Sequence, residues 1–208
     1  MIKDLLCRYP ALAAREADIN AALNILIDCF KSGGKLLLCG NGGSSADCDH
    51  IVGELMKGFL CKRPLGDVKK AEMKKRCAYL DDNALDKLQN ALPAISLASF
   101  SALNTAFCND VDAELVYAQA LLGLAREGDV LLAISTSGNS KNVLQCAAVA
   151  RAVGIKVVSL TGGDGGALRD LSDACIIAPE RETYKIQELH LPIYHYMCAT
   201  LEKEFFKS

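Results

Sequence analysis

The spacing of apolar and polar positions predicts a helix near the start of the chain and then a short buried strand. Over residues 11–32, apolar side chains recur every three or four positions, and Gly33-Gly34 follows as a stop. The run Lys35–Cys39 is apolar after its first residue and ends in the glycine-rich loop Gly40–Ser45, which is typical of a buried strand. A helix, a strand and a loop of small residues therefore follow one another.

The same order of strand, loop and helix recurs further along the chain. The five predicted strands are apolar runs at residues 35–39, 94–98, 129–134, 155–160 and 174–178. Small residues fill the loops Ser135–Ser140 and Thr161–Gly166, which precede predicted helices to about Ala150 and over 167–171, and a long final helix is predicted over 184–206. Strands alternating with helices specify a parallel sheet. We predict one α/β domain over residues 1–208, with a doubly wound five-stranded parallel sheet flanked by helices.

Residues 61–92 interrupt this pattern and predict a helical insertion. Asp82 opens an apolar series, and before it lies a basic stretch formed by Lys62, Arg63, Lys69, Lys70, Lys74, Lys75 and Arg76. We interpret the segment as two short surface helices with solvated faces. A lid or a subunit contact is the alternative.

Composition narrows the function to small-molecule chemistry. The formal charge is -2 with no dominant basic face, so we expect neither nucleic acid nor a membrane surface as a partner. The ten cysteines contain no CxxC pair and are predicted to be buried, reduced thiols. The start of the chain has no long apolar run before Arg8, so neither a signal peptide nor a membrane span is predicted. A cytoplasmic location is expected.

The serine loop has the chemistry of a phosphate site. It offers the hydroxyls of Ser135, Thr136, Ser137 and Ser140 at the predicted start of a helix, where backbone N–H groups lack partners. In a doubly wound sheet, ligands bind beyond the carboxyl ends of the strands, which is where all three loops are expected. The alternative is that serine merely caps the helix, but one residue would suffice for that.

The first glycine loop does not match a dinucleotide site. Gly40-x-Gly42 is followed by Ser45 where the fingerprint needs a third glycine or alanine, which disfavours a dehydrogenase. Asn41 and Ser44 are instead suited to hydrogen bonds with sugar hydroxyls.

Candidate acid, base and metal-binding groups lie on two helices. His50 and Glu54 are spaced i,i+4 and so share one helix face, although such a pair is more often a plain surface contact. The final helix carries Gln187, His190 and His195 among apolar residues. On an ideal helix, His195 is offset from Gln187 by about 80°, and Pro192 is expected to kink the helix. Spacing therefore does not choose between the two histidines.

Four segments, in this order along the chain, resemble the sugar isomerase (SIS) domain family, and within it the phosphoheptose isomerases: CGNGGSSADCDHIVGEL, EGDVLLAISTSGNSKNV, SLTGGDGG and IQELH. The resemblance implies isomerisation of sedoheptulose 7-phosphate to D-glycero-D-manno-heptose 7-phosphate. It also implies a homotetramer with sites at subunit boundaries.

The resemblance assigns roles by position. Glu54 and His195 would be the proton-transfer groups, with His190 in support. Substrate would be bound by the two acidic or amide side chains Glu54 and Gln187, by the serine-loop residues Ser135, Thr136, Ser137 and Ser140, and by Asn41, Gly42, Gly43, Ser44, Asn109 and Asp110. Some members bind zinc through residues matching His50, Glu54, Gln187 and His195, whose side chains are plausible zinc ligands.

The same family includes regulators and a replication-initiation factor, so a non-catalytic phosphosugar-binding or assembly protein is the rival hypothesis. The set His50, Glu54, Gln187 and His195 favours an enzyme, because a binding module has less reason to carry it. An aldose–ketose isomerase moves a proton between adjacent carbons through an enediolate, which requires a base and an acid.

Overall fold

The computed structural model describes residues 1–206, and Lys207 and Ser208 lie outside the described part. Its strands are β1 (Leu36–Gly40), β2 (Ala94–Ser96), β3 (Val130–Ile134), β4 (Lys156–Gly162) and β5 (Ala174–Ala178). Its α-helices are α1 (Ile2–Arg8), α2 (Glu16–Lys31), α3 (Gly43–Met56), α4 (Asp67–Arg76), α5 (Asp82–Lys87), α6 (Ser101–Asp110), α7 (Val116–Leu124), α8 (Lys141–Ala152) and α9 (Thr183–Phe206).

The five strands form one parallel sheet in the order β2-β1-β3-β4-β5, which confirms the predicted fold class. Strand order reverses between β1 and β3, because β2 lies on one side of β1 and the later strands on the other. The loops after β1 and β3 therefore lie side by side at a topological switch point, where ligands of such sheets bind.

Alternate side chains of each strand face two separate cores, since side chains in a strand point to opposite faces in turn. Leu36 and Leu38 of β1 pack with α1, α2, α3 and α9 on one face. Leu37 and Cys39 pack with α7 and α8 on the other. Burial on both faces explains why the strands are continuous apolar runs rather than alternating patterns.

Two predicted helices differ from the structure. The first five residues of the predicted opening helix, 11–15, belong to a 3₁₀ helix that begins at Pro10, and the α-helix proper starts at Glu16. The predicted helix over 167–171 is a single 3₁₀ turn at Arg169–Leu171, because Gly165 and Gly166 just before it have positive φ and leave little chain for a helix. Helices α1 and α6 were not predicted.

Helix α9 continues through Pro192 for 24 residues, packing on α3 and α2. Pro192 itself is buried. Within residues 1–206, no helix has both the length and the apolar character needed to cross a membrane.

The insertion contains the two predicted surface helices, α4 and α5. Helix α4 buries no residue, and ion pairs join it to α5 at 2.6 Å from Lys70 to Asp86 and 2.7 Å from Lys74 to Asp82. Asp81 caps α5 by accepting a hydrogen bond from the Ala84 amide at 2.7 Å. This arrangement agrees with solvated faces on both helices.

Arg63 was wrongly assigned to that solvated basic stretch. Its side chain and that of Glu202 on α9 are both 0% exposed and form an ion pair at 2.9 Å. The Glu202 carboxylate also accepts hydrogen bonds from the backbone N–H groups of Phe59, Leu60 and Cys61 at 2.7, 2.7 and 3.1 Å. A buried charge is tolerated only when it is paired and fully hydrogen-bonded, and this pair meets that condition.

The cysteines are only partly buried. All ten are free thiols, but only five are buried: Cys61 and Cys175 are half-buried, and Cys7, Cys77 and Cys108 are exposed, so the prediction of ten buried thiols was wrong for five of them. The three exposed thiols are the plainest departures. Each lies in or next to a short peripheral helix that has few neighbours to cover it.

Candidate active site

The glycine loop joins β1 to α3 and is hydrogen-bonded to the first turns of α7 and α8. Gly40 has no space for a side chain, since an added Cβ would lie 2.9 Å from the backbone of Ser44. The side chains of Asn41 and Asn142 exchange hydrogen bonds of 2.8 and 2.9 Å, and the Tyr117 hydroxyl donates to the Gly40 carbonyl at 2.7 Å. Asn41 is exposed at this edge, whereas Ser44 is buried.

The serine loop follows β3 and is folded around Gly138. Gly138 has φ of 63°, and an added Cβ would lie 1.9 Å from the carbonyl oxygen of Gly165. Only glycine lets these two loops touch. The hydroxyls of Ser135 and Ser140 lie 3.1 Å apart, and Ser137 accepts a hydrogen bond from the Asn139 amide.

The start of helix α8 is not capped by the serine loop. Ser140 is the N-cap residue, yet its side chain makes no capping hydrogen bond and contacts Ser135 instead. The Val143 amide of the first turn donates to Asn142 Oδ1 at 3.0 Å, and the amides before it, which no serine caps, are suited to an anion. The capping alternative therefore does not account for the serines, and the geometry agrees with an anion site.

An open cavity of about 350 Å³ lies beside this loop. Its walls combine hydroxyls, glycine backbone, one carboxylate and one cation, contributed by Thr136, Ser137, Gly162, Gly163, Asp164, Arg181 and Ile186. Gln187 lies on α9, and its side chain reaches the start of α3 close to this cavity. A Cβ added to Gly43, the first residue of α3, would lie 2.6 Å from Gln187 Nε2. The carboxyl edge of the sheet thus gathers the predicted phosphate and sugar contacts Gly43, Ser137 and Gln187.

Asn109 and Asp110 lie on the last turn of α6 and are exposed. Asn109 Nδ2 donates to Asp110 Oδ1 at 2.8 Å. Within residues 1–206, neither side chain hydrogen-bonds to the serine loop. Their predicted contact with sugar stays a prediction.

A second group of polar side chains lies where α3 packs on α9, and we call Asp47, His50, Glu54, Tyr194 and His195 the histidine cluster. His50 is its centre: its Nε2 lies 3.3 Å from Glu54 Oε1 and 3.4 Å from His195 Nε2. The hydroxyl of Tyr194 is 3.1 Å from both Asp47 Oδ1 and His50 Nδ1. The structure therefore brings together the predicted residues His50, Glu54 and His195.

The electrostatics of the cluster follow from its burial. Burial, and after it the neighbouring His50, lowers the pKa of His195, against the opposing effect of Glu54. Burial raises the pKa of Asp47, although the Tyr194 hydroxyl works in the opposite direction. Among the described residues, Oε2 of Glu54 is buried without a hydrogen-bond partner, and the nearest cation, Lys57 Nζ, lies 3.9 Å from it. An unsatisfied carboxylate oxygen is costly to bury and is available to accept a proton.

His190 and His195 have different roles in the packing. His190 is fully buried against β4, with its Nε2 3.0 Å from the Thr161 carbonyl oxygen, and burial lowers its pKa to about 4. It is therefore a neutral core residue. His195 faces α3, and the ring of Phe59 lies 5.6 Å from its ring.

Three residues of this site were not predicted. Asp47 is spaced i,i+3 before His50 and Tyr194 directly precedes His195, so only their proximity to candidate residues could have drawn attention to them. Phe59 gave no signal, because its position depends on the Arg63–Glu202 pair.

His195 also lines a larger cavity, separate from the serine-loop cavity. Its volume is about 480 Å³, and its walls are Met1, Asp4, Leu5, Arg8, Phe59, Leu60, His195, Tyr196 and Ala199. Gly43 and Glu54 are eleven residues apart on α3, which is about 16 Å along the helix axis. In one chain, the serine loop and the histidine cluster therefore open into different cavities.

Comparison with known proteins agrees with these features. The SIS domain family profile matches residues 8–91 and 87–162. The chain is 39% identical over 187 residues to the phosphoheptose isomerase of a Nitratiruptor species, covering 90% of this chain and 86% of that protein. It is 33% identical over 198 residues to the phosphoheptose isomerase of Akkermansia muciniphila, covering 95% and 91%. The solved structure of phosphoheptose isomerase from Neisseria gonorrhoeae superposes with a TM-score of 0.76 at 28% identity, covering 97% of this chain and 95% of that one. The chain belongs to the SIS domain family, among the phosphoheptose isomerases.

Proposed function

We propose that this chain isomerises sedoheptulose 7-phosphate to D-glycero-D-manno-heptose 7-phosphate. The observation that carries the proposal is Glu54, whose Oε2 is buried without a hydrogen-bond partner among the described residues, 3.9 Å from Lys57 Nζ, while Oε1 lies 3.3 Å from His50. A carboxylate with one free oxygen, next to two imidazoles, supplies a base and an acid in one place. The relatives reported above carry the name of this activity.

In the proposed mechanism, Glu54 takes a proton from C1 of the ketose while His195 gives a proton to the C2 carbonyl oxygen. The electron pair of the broken C–H bond forms the C1–C2 double bond of an enediol. His195 then takes the proton of the C1 hydroxyl, and Glu54 delivers its proton to C2, which gives the aldose. Acid and base groups of this kind each contribute on the order of 10²- to 10⁴-fold.

The serine loop would hold the phosphate at the other end of the substrate. The hydroxyl donors around Ser137, together with the start of α8, which Ser140 does not cap, would provide several hydrogen bonds to phosphate oxygens. Binding energy from this remote group would hold the reacting carbons near Glu54.

Proton transfer is tested by incubating the purified protein with sedoheptulose 7-phosphate in D₂O and following the product by NMR. We expect an aldose product that carries deuterium at C2, because the proton that Glu54 holds during the enediol stage exchanges with D₂O before it is delivered to C2. A panel of other ketose phosphates defines the chain length that is accepted. If the phosphates bind but none is converted, the chain is a phosphosugar-binding regulator or assembly protein instead.

We also infer that a second copy of the chain completes the active site, in a homotetramer with sites at subunit boundaries. The inference is supported by the separate cavities of the serine loop and His195. It is further supported by the exposed apolar side chains Met1 and Leu60, 49% and 59% exposed, at the rim of the His195 cavity.

Subunit complementation tests this arrangement. A loop variant, Ser137→Ala with Ser140→Ala, and a cluster variant, Glu54→Gln, are each expected to be inactive alone. In tetramers containing both, about a quarter of sites would pair an intact loop with an intact cluster, if each site draws these parts from different chains. No recovery in mixed tetramers would place the whole site in one chain, and a monomer in analytical ultracentrifugation would contradict the assembly.

We propose that the histidine cluster binds a zinc ion. His50, Glu54 and His195 supply imidazole nitrogen and carboxylate oxygen close together, whereas Gln187, the fourth predicted ligand, lies beside Gly43 at the start of α3 and would have to swing toward them. An ion held there would compete with proton transfer for the same atoms of Glu54 and His195. The described residues contain no preformed group of three or more His, Cys, Asp and Glu side chains with metal-site geometry, so binding requires these side chains to turn toward the ion. Zinc would polarise the sugar carbonyl.

Metal content by mass spectrometry tests the zinc proposal. We expect about one zinc per chain in the purified protein and less than a tenth of that in His50→Gln, with His190→Gln as the matched control. Full activity in metal-free protein would refute a catalytic ion. A cytoplasmic location for the reaction stays a prediction.

A further inference from the structure

Arg181 is a cation in the wall of the serine-loop cavity that has no task in the proposed mechanism. It lies in the loop between β5 and α9, two residues before α9 begins at Thr183. Its side chain lines the cavity of about 350 Å³ together with Thr136 and Ser137. Arg181 is exposed, and within residues 1–206 it forms no ion pair. A cation beside hydroxyl donors, with its charge uncompensated, is available to an anionic ligand.

Backbone hydrogen bonds hold the segment of Arg181 next to the serine loop. The Gly163 amide donates to the Glu180 carbonyl at 2.9 Å, and the Gly162 amide donates to the Thr136 carbonyl at 3.0 Å. The loop that contains both glycines is therefore bonded to the residue before Arg181 on one side and to the serine loop on the other. Three segments of the chain thus form the wall of one cavity.

The acidic residues around Arg181 do not neutralise it. Glu182 pairs with Lys185, and Glu180 is half-buried and forms no ion pair among the described residues. Asp164 lines the same cavity, but its Oδ1 accepts a hydrogen bond from a backbone amide of its own loop at 3.0 Å. In the cavity wall formed by residues 1–206, Arg181 is the one cation.

A bound phosphate requires a charge that the serine loop does not supply. The hydroxyls of the loop and the backbone amides at the start of α8 are neutral donors, whereas a phosphate monoester carries a charge of about -1.5 to -2 at pH 7. Hydrogen bonds from a guanidinium to phosphate oxygens are roughly twice as strong as neutral ones. The planar fork of arginine also binds two oxygens at once.

We propose that Arg181 is a phosphate-binding residue, which donates to the phosphate of the sugar substrate that the serine loop holds. The proposal rests on the proposed isomerase function for the identity of the substrate. It adds the charged contact that selects a phosphorylated sugar over a free one. Because the phosphate is remote from the reacting carbons, loss of this contact weakens binding and spares proton transfer.

Calorimetric titration of wild type and Arg181→Gln with sedoheptulose 7-phosphate tests the contact. We expect the dissociation constant to rise by about 10- to 100-fold, the effect of losing a hydrogen bond to a charged group. Arg181→Lys should lie between the two, since it keeps the charge and loses the fork. Inorganic phosphate is the second probe, and its binding should weaken in parallel. Equal affinity of wild type and Arg181→Gln for either probe overturns the proposal.

Two control variants separate a direct contact from a general effect of charge. Arg169 follows the same loop as Asp164 and is exposed, but it is not part of the cavity wall. Arg169→Gln should therefore change the affinity by less than about twofold, and a loss equal to that of Arg181→Gln would overturn the proposal. Asp164→Asn should leave the affinity unchanged or raise it. Weaker binding would show that Arg181 acts through Asp164, which contradicts a direct contact.

Turnover is the second readout. In Arg181→Gln, we expect KM for sedoheptulose 7-phosphate to rise by the same factor as the dissociation constant, with kcat changed by less than about threefold. A lower kcat at unchanged KM would place Arg181 in the chemical step and overturn its role as a phosphate ligand. If wild type converts no ketose phosphate while Arg181→Gln binds inorganic phosphate more weakly, the proposed function is refuted and the phosphate-binding role stands.

Discussion

Glu202→Gln tests whether the buried pair with Arg63 holds the segment that leads from α3 into the insertion. The substitution keeps the size of the side chain and removes its charge. The carboxylate accepts from three backbone N–H groups and from Arg63 Nε, at distances from 2.7 to 3.1 Å. A glutamine has one carbonyl oxygen for these four donors, and its NH₂ group would face the others.

The expected cost follows from these contacts. If two hydrogen bonds to the charged acceptor are lost, at about 1.5–3 kcal/mol each, the free energy of unfolding falls by about 3–6 kcal/mol. Removing one partner of a buried pair typically costs about 3–5 kcal/mol, because the other charge is left uncompensated, so the two estimates agree. Such a loss is a large part of the about 5–15 kcal/mol that stabilises a typical protein.

Urea denaturation followed by circular dichroism, at one protein concentration, measures this cost. The matched control is Glu204→Gln, two residues along α9, whose ion pair with Lys31 is exposed, and it should change the free energy of unfolding by less than about 0.5 kcal/mol. A Glu202→Gln variant within about 1 kcal/mol of wild type would refute the reasoning.

The pH dependence checks the cause of the loss. Burial alone would raise the pKa of Glu202, but hydrogen bonds from Phe59 and Leu60 and the charge of Arg63 outweigh it and hold the pKa below its usual value. A depressed pKa stabilises the fold above the unfolded-state pKa, and this contribution is lost as pH falls through the folded-state pKa. The difference between wild type and Glu202→Gln should therefore shrink on acidification below about pH 4.

Three further predictions concern the site itself. Ser137→Ala should weaken phosphosugar binding by about tenfold or more in calorimetry, with an unchanged melting temperature, since an exposed hydroxyl is lost and no core volume changes; equal affinity would remove the phosphate-loop interpretation. Glu54→Gln and His195→Gln should each abolish most turnover, and the double variant should be little worse than either, whereas His190→Gln should mainly lower stability; the assignment fails if His190→Gln is the inactive one. Gly138→Ala should abolish binding and cost more than the about 1–2 kcal/mol of a left-handed residue, because its new methyl overlaps backbone; normal binding and stability would contradict the role of that close contact.

The strands and loops were readable from the sequence because their signals are local. An apolar run such as residues 130–134 with a small-residue loop behind it specifies a buried parallel strand, and five such runs leave few possible folds. The serine loop was found for the same reason, since its hydroxyls are contiguous and a helix follows them directly. The sequence did not predict the 3₁₀ helices Pro10–Arg15 and Arg169–Leu171. Apolar spacing does not distinguish a short 3₁₀ turn from an α-helix.

The sequence by itself determined the five-stranded sheet, the order of its loops and the residues that could carry the chemistry. Helical spacing did not separate His195 from His190, and only the family resemblance favoured His195. The tertiary structure supplies the physical reason, since the packing of α9 decides which histidine faces α3 and which is buried against β4. The burial of Arg63 and the contacts of Tyr194 with Asp47 and His50 likewise depended on residues up to 147 positions apart. Such pairings are set by how helices dock on a sheet, and no pattern within a window of the chain contains that information.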